Sequence, residues 1–288
     1  MTTFDPTGTE SVPVTSAPAP HDSYRVGTGT RATRVLGLFT IVSMGWLVVF
    51  GLGFSPADRD QDEAVRILYV HVPTIWLAYL AFVVTAIASA LYLFPKAHSL
   101  GWDRLAGASA EIGVAFVAVT LVVGALWGRL TWGVFWQWDA RLTLTALLFV
   151  SYIGYLAVRR LGGTHEQRAR RSAVLGLLIV LEIPLLHFSV KLWRSLHQGS
   201  TLTDPSGDVK MDGLMLFSLF VGVIAFTLLY VWLVLHRTRA MAMEDLLDDR
   251  QLDSALEARR AEARIDAAPE AVPESAPEPA PEVGTEDR

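Results

Sequence analysis

Long apolar stretches alternate with short polar connectors along most of the chain. Six of them are nearly free of charge, and they cover residues 35–54, 74–94, 105–127, 142–158, 173–190 and 213–235. About 20 residues of helix, at ~1.5 Å each, cross the ~30 Å hydrocarbon core of a bilayer. Membrane strands would instead alternate in polarity. The pattern therefore predicts an all-α polytopic integral membrane protein with six transmembrane helices, the fifth bent at Pro184.

Composition and the two ends of the chain complete this outline. Of the 288 residues, 52% are hydrophobic and 18% are charged. The sequence contains no cysteine, so disulfides and thiolate metal sites are excluded. We expect a disordered cytoplasmic segment over residues 1–33 and a six-helix membrane domain over residues 34–239. Residues 240–288 form an acidic Ala/Pro/Glu-rich tail that we expect to be largely disordered, apart from a possible helix over 244–265. Membrane lipid is an expected partner and nucleic acid is not.

Basic residues near the ends of the apolar stretches predict the orientation in the membrane. Twelve lie before the first stretch, after the last, or in connectors 2–3 and 4–5, whereas the other three connectors hold seven, offset by acidic residues. Because basic residues concentrate on the cytoplasmic side, both termini are predicted to be cytoplasmic. Connectors 1–2, 3–4 and 5–6 then face outward.

The outward connector between helices 3 and 4 is dense in tryptophan. It reads WGRLTWGVFWQWDAR from Trp127 to Arg141 and holds four of the nine tryptophans. An aromatic belt at the membrane interface is the simpler interpretation. A helix would place Trp132, Trp136 and Asp139 on one face. An extended segment would instead align Trp132 and Trp136 with Trp138. Both arrangements predict a broad, flat apolar surface edged with charge.

Three histidines are predicted on the same outer side as this loop: His71, His187 and His197. Two imidazoles can occupy the axial positions of a haem iron, and indole rings stack on a porphyrin. The anionic propionates need cationic partners, for which the outward candidates are Arg66, Arg129, Arg141 and Arg194. A zinc site is the rival interpretation, but the sequence lacks the closely spaced ligands typical of one.

Three motifs together resemble a known family. WGVFWQWDARLT resembles the tryptophan-rich "WWD" signature of bacterial haem-handling proteins. The segments ILYVHVPTIW and KLWRSLHQGST resemble the CcmC (haem exporter protein C) branch of cytochrome c maturation, over about residues 35–235. Phe135 departs from the pattern, because the family often has two adjacent tryptophans where this chain has Phe135–Trp136.

The resemblance implies a haem-binding membrane protein that presents haem at the outer face of the bacterial cytoplasmic (inner) membrane. It would hand non-covalent haem b (iron protoporphyrin IX) to the haem chaperone CcmE, working with CcmD and the ABC transporter CcmAB. His71 and His197 would be the axial iron ligands. The haem platform would consist of Trp132, Trp136, Trp138 and Asp139, with Trp127 and Arg141 at its edge.

We expect a binding and delivery protein rather than an enzyme. A haem lyase that attaches haem to apocytochrome c is one alternative, although such enzymes are larger and have more spans. A transmembrane haem channel is another, and the buried Glu111 and Glu182 give it little support. An interfacial scaffold without a ligand is the third. The roles of His187 and Lys191 are left open.

Overall fold

The computed structural model describes residues 29–197 and 211–266. Most of the N-terminal segment and the end of the acidic tail lie outside these ranges, so the predicted disorder of those parts stays a prediction. Seven α-helices follow one another through the described residues: α1 (Arg31–Leu47), α2 (Leu68–Leu93), α3 (Leu100–Trp132), α4 (Ala140–Arg159), α5 (His165–Ile179), α6 (Glu182–Leu192) and α7 (Gly213–Asp266). A π-helical turn (Val48–Phe54) extends α1, and a 3₁₀ turn (Glu63–Ile67) leads into α2.

Six helical segments in the described part of the chain are long and apolar enough to cross a membrane, which confirms the predicted fold class. Helices α5 and α6 together form the fifth span, from His165 to Leu192. The predicted bend at Pro184 is wrong in position, since the helix breaks at Val180–Leu181 and Pro184 lies in the first turn of α6. Proline clashes with the carbonyl four residues earlier, which here belongs to Val180, whereas the first turn of a helix accommodates it.

The packed interior is centred on α2, which contacts both α3 and α5. Phe82 of α2 stacks on Tyr152 of α4, with ring centroids 3.5 Å apart. A Cβ at Gly113 of α3 would lie 2.5 Å from the Phe82 ring, so glycine lets these two helices approach closely. Helix contacts in membranes depend on such small residues because lipid is as apolar as the side chains.

Two ion pairs join helices at the end of the bundle that the sequence places toward the cytoplasm. Arg159 of α4 donates to Asp103 of α3, with one N–O distance of 2.9 Å. Glu111 of α3 accepts from Arg237 of α7. The acidic residue that interrupts the third apolar stretch therefore has a partner, which reduces the cost of placing its charge in the membrane.

The opposite end of the bundle gathers the other ends of the spans. Helices α2, α4 and α7 begin there, and α3, α6 and the π-helical turn that extends α1 end there. Helix α3 runs on to Trp132, and the connector to α4 therefore shrinks to residues 133–139. The C-terminal residues of α7 beyond Met241 form a separate unit of the chain, and the predicted helix over 244–265 is part of α7.

Candidate functional site

A cavity of about 600 Å³ opens among the helix ends on this side of the bundle. Ligand pockets in proteins have volumes of about 300–1,000 Å³ and are mainly apolar with a few polar groups. Most of the side chains that line this cavity are apolar or aromatic. Six of the eight predicted site residues line it: His71, Trp127, Trp132, Trp136, Arg141 and His197.

His71 is the fourth residue of α2 and lines the cavity. Its Nδ1 atom is buried and has no hydrogen-bond partner among the described residues. The imidazole meets the Trp127 ring edge to face, with centroids 5.6 Å apart. On its other side lies Gly124 of α3, where a Cβ would approach Cε1 of His71 to 2.8 Å. A buried imidazole nitrogen without a partner is costly, and a ligand in the cavity would offset that cost.

His197 reaches the same cavity from the segment that follows α6. Its ring lies edge to face against Trp132, with centroids 6.3 Å apart. Arg141, in the first turn of α4, places Nη1 3.3 Å from Nδ1 of His197 and donates from Nη2 to the backbone carbonyl of His187 at 2.8 Å. The structure thus brings two imidazoles from distant parts of the sequence, together with a guanidinium, to one cavity.

The tryptophans of the loop do not all face the cavity. Gly133 adopts a left-handed conformation (φ 79°) that ends α3 and turns the chain, and residues 134–139 are not helical. Trp136 lines the cavity, and its buried Nε1 has no partner in the described part of the chain. Trp138 packs edge to face on Trp136 but is 78% exposed and does not line the cavity. Neither the fully helical nor the fully extended arrangement is therefore observed.

Asp139 also lies outside the cavity lining. One carboxylate oxygen caps α4 by accepting from the backbone N–H of Leu142 at 2.8 Å. The other accepts from Oγ of Ser195 at 2.6 Å and from the backbone N–H of Leu196 at 3.2 Å. The carboxylate joins the start of α4 to the segment that carries His197.

The sequence matches the family described as CcmC, heme exporter protein C, over residues 15–252. The chain is 36% identical to the heme exporter protein C of Haemophilus influenzae over 236 residues, which are 80% of this chain and 90% of the relative. It is 40% identical to that of Bradyrhizobium diazoefficiens over 196 residues, 67% of this chain and 73% of the relative. This chain belongs to the haem exporter protein C family.

A ccmC-like mitochondrial protein of cytochrome c biosynthesis from Arabidopsis thaliana is a further relative. It is 34% identical over 212 residues, which cover 74% of this chain and 78% of the relative. All three histidines that line the cavity, His71, His187 and His197, lie within the residues matched to the haem exporter protein C family.

Several cavity residues in this member of the haem exporter protein C family are ones that sequence reasoning missed. Ile75 and Tyr79 line the cavity, and they follow His71 at intervals of four residues on α2. That helical spacing is a signal from which both could have been found. Gly124 carries no such signal, because its importance depends on how α3 packs against α2. Gln61 accepts the Nε1–H of Trp127 at 2.9 Å from the connector before α2.

The cationic candidates also separate in the structure. Arg141 and Lys191 line the cavity, whereas Arg66, Arg129 and Arg194 are not part of its wall. Arg129 instead donates to the carbonyl of Gly133, at the turn that ends α3. His187 also lines the cavity, but it is exposed. The family pattern gives it no role as a ligand.

Within residues 29–197 and 211–266, no group of three or more His, Asp or Glu side chains could hold a metal ion by itself. Two imidazoles suit a metal that carries its own equatorial ligands, as haem iron does. His71, Trp136 and Arg141 each have a buried nitrogen that lacks a hydrogen-bond partner within the described ranges, and all three residues line the same cavity. The donor set and the aromatic walls therefore fit a haem.

Proposed function

We propose that this protein binds haem b non-covalently in the cavity and delivers it for cytochrome c maturation. The observation that carries the proposal is the convergence of His71 and His197 on one aromatic-walled cavity. There the Nδ1 atom of His71 is buried and has no hydrogen-bond partner among the residues that the structure describes. The names of the relatives supply the biological context, since they are called haem exporters and one belongs to cytochrome c biosynthesis.

Each part of the haem has a counterpart in the cavity. His71 and His197 would bind the iron, which brings four equatorial nitrogens of its own. The indole rings of Trp127, Trp132 and Trp136 would pack against the apolar macrocycle. Arg141, together with Lys191 from the end of α6, offers cationic donors for the propionates. Trp138 and Asp139 stand apart from this wall, and their predicted place in the platform stays a prediction.

The cavity would face the periplasm. The distribution of twelve and seven basic residues predicts cytoplasmic termini, which puts the starts of α2 and α4 on the outer side of the inner membrane. The charged pairs Arg159–Asp103 and Glu111–Arg237 then lie toward the cytoplasm.

Haem would leave the cavity by transfer to CcmE, with CcmD and the ABC transporter CcmAB as further partners. The sequence contains no Gly-x-x-x-x-Gly-Lys phosphate loop, so any ATP-driven step would need a partner ATPase. In this proposal the protein is a carrier rather than an enzyme.

A transfer assay tests this function. Detergent-purified protein from haem-replete cells is expected to show a Soret band, and this haem should pass to the soluble domain of CcmE when the two are mixed. Apocytochrome c mixed with the haem-loaded protein alone should gain no covalent haem. Covalent attachment in that control would instead support a haem lyase, and a wild-type protein without haem would contradict binding altogether.

Phenylalanine at Trp136 tests the position of the haem within the cavity. The substitution keeps an aromatic ring but removes the buried Nε1–H, and one hydrogen bond contributes about 0.5–1.5 kcal/mol. We therefore expect the dissociation constant for haem to rise roughly two- to tenfold, as measured by absorbance titration. Trp46→Phe, on the exposed face of α1, is the matched control and should bind as wild type does. Equal affinities in both variants would show that the indole N–H does not face the haem.

A further inference from the structure

The carboxylate of Asp139 accepts hydrogen bonds on both oxygens, from donors at the start of α4 and in the segment after α6. Oδ1 accepts from Leu142 at 2.8 Å, and Oδ2 accepts from Ser195 at 2.6 Å and Leu196 at 3.2 Å. Each of these donors belongs to the protein's own scaffold. The carboxylate thus links the start of α4 to Ser195, which lies 56 residues after Asp139 in the sequence.

Ser195 continues this connection to His197. Its hydroxyl donates to Asp139 and accepts the backbone N–H of His197 at 3.1 Å. Helix α6 ends at Leu192, and residues 193–197 are not helical. The bonds that run through Ser195 to Asp139 hold the His197 backbone beside the start of α4.

A direct role of Asp139 in binding haem fits these observations poorly. Asp139 does not contribute to the cavity wall, whereas its neighbour Arg141 does. A carboxylate next to the anionic propionates would repel them, and like charges placed together in a binding site are costly. Both considerations favour an indirect role.

We infer that Asp139 is a positioning residue that holds His197 through Ser195, in a site whose proposed function is haem binding. The aspartate of the tryptophan-rich motif fixes the backbone on which the imidazole is carried, and Arg141, two residues later, contacts the ring of that imidazole. Residues that do not bind a metal but orient one of its ligands typically contribute a factor of about 10–100 in metal affinity.

Three variants test this inference. Asp139→Asn keeps an oxygen that can cap α4, since asparagine caps helices about as well as aspartate, but it loses one of the two acceptors. Ser195→Ala removes the connecting hydroxyl, and Ser195→Thr retains it. Asp212→Asn is the matched control, because Asp212 accepts from Leu214 at the start of α7 in the same way.

The first readout is the ligation of ferric haem in the purified variants. Asp139→Asn and Ser195→Ala should bind haem about tenfold more weakly, with part of the signal shifted from six-coordinate low spin to five-coordinate high spin. Added imidazole should restore the low-spin form. Ser195→Thr and Asp212→Asn should match wild type. A merely structural defect would lower the amount of loaded protein without changing its spin state.

The second readout needs no haem. Ser195→Ala should speed hydrogen exchange at the amides of Leu196 and His197, because one donates to Asp139 and the other to Ser195. Unchanged exchange together with wild-type ligation in Ser195→Ala would overturn the inference. So would haem loss in Asp139→Asn that leaves the spin state intact and does not respond to imidazole. If wild type itself takes up no haem, the proposed function fails, whereas the exchange result still decides the tie between Asp139 and His197.

Discussion

Alanine at His71 or at His197 is expected to lower the haem retained by the purified protein by at least about tenfold. Each substitution removes one axial bond to the iron, and even residues behind a metal ligand contribute about 10–100-fold to affinity. The loss should accompany a change from six-coordinate to five-coordinate ligation in the haem that remains. Haem per protein from pyridine haemochrome spectra and dissociation constants from absorbance titration measure the effect.

Two further histidine variants make this result specific. His98→Ala is the matched control, because His98 bonds to the backbone carbonyl of Tyr92 away from the cavity and should not affect haem. His187→Ala should cost less than either ligand variant, since the contact between Arg141 and His187 uses the backbone carbonyl and survives the substitution. A larger loss at His187 than at His197 would reverse the ligand assignment.

Alanine at Gly124 should weaken haem binding although Gly124 cannot bind iron. The new Cβ would lie 2.8 Å from Cε1 and 3.3 Å from Nδ1 of His71, so the imidazole has to move. Overpacking of this kind costs about 1–3 kcal/mol. We therefore expect the dissociation constant for haem to rise roughly five- to 150-fold. Absorbance titration of the purified variant measures this change.

A double-mutant cycle shows whether Gly124 acts through His71. In a His71→Ala background the ring is gone, so Gly124→Ala should have no further effect on affinity. Gly154→Ala serves as the control for glycine replacement in a helix, because no atom lies within 4 Å of the added Cβ. Additive effects of Gly124→Ala and His71→Ala would contradict the steric explanation.

The six spans could be predicted from hydropathy because each is a long run without charge, but their ends could not. Helix α3 continues through Arg129 to Trp132. A polar residue ends an apolar stretch without ending a helix. For that reason the hydropathy pattern predicted Trp132 to lie in a loop, whereas it is the last residue of α3. The break of the fifth span shows the converse, since Pro184 marks a disturbance whose position depends on the carbonyl four residues earlier.

The candidate site could be predicted only in part, from the side of the membrane on which each connector is expected to lie. Alternation of the spans put His71, the tryptophan-rich loop and His197 on one side, and both histidines and part of that loop line the cavity. The separation of His187 from the other two histidines came from the family resemblance alone. Their spacing in the sequence does not distinguish them.

Details that depend on tertiary contacts lay beyond the sequence. The left-handed Gly133 ends α3, and in the segment that follows Trp136 lines the cavity while Trp138 is exposed. The hydrogen bond between Asp139 and Ser195 joins positions 56 residues apart, and no pattern in the sequence predicts it. Glycine at 124 is ordinary in a membrane helix until the ring of His71 is placed against it.

The electron paramagnetic resonance spectrum of the ferric, haem-loaded wild-type protein tests the central claim most directly. If His71 and His197 both bind the iron, the spectrum should be low spin with bis-imidazole ligation, and each single alanine variant should lose that signal. A high-spin, five-coordinate spectrum of the wild type would contradict the claim. So would a low-spin spectrum that both alanine variants retain.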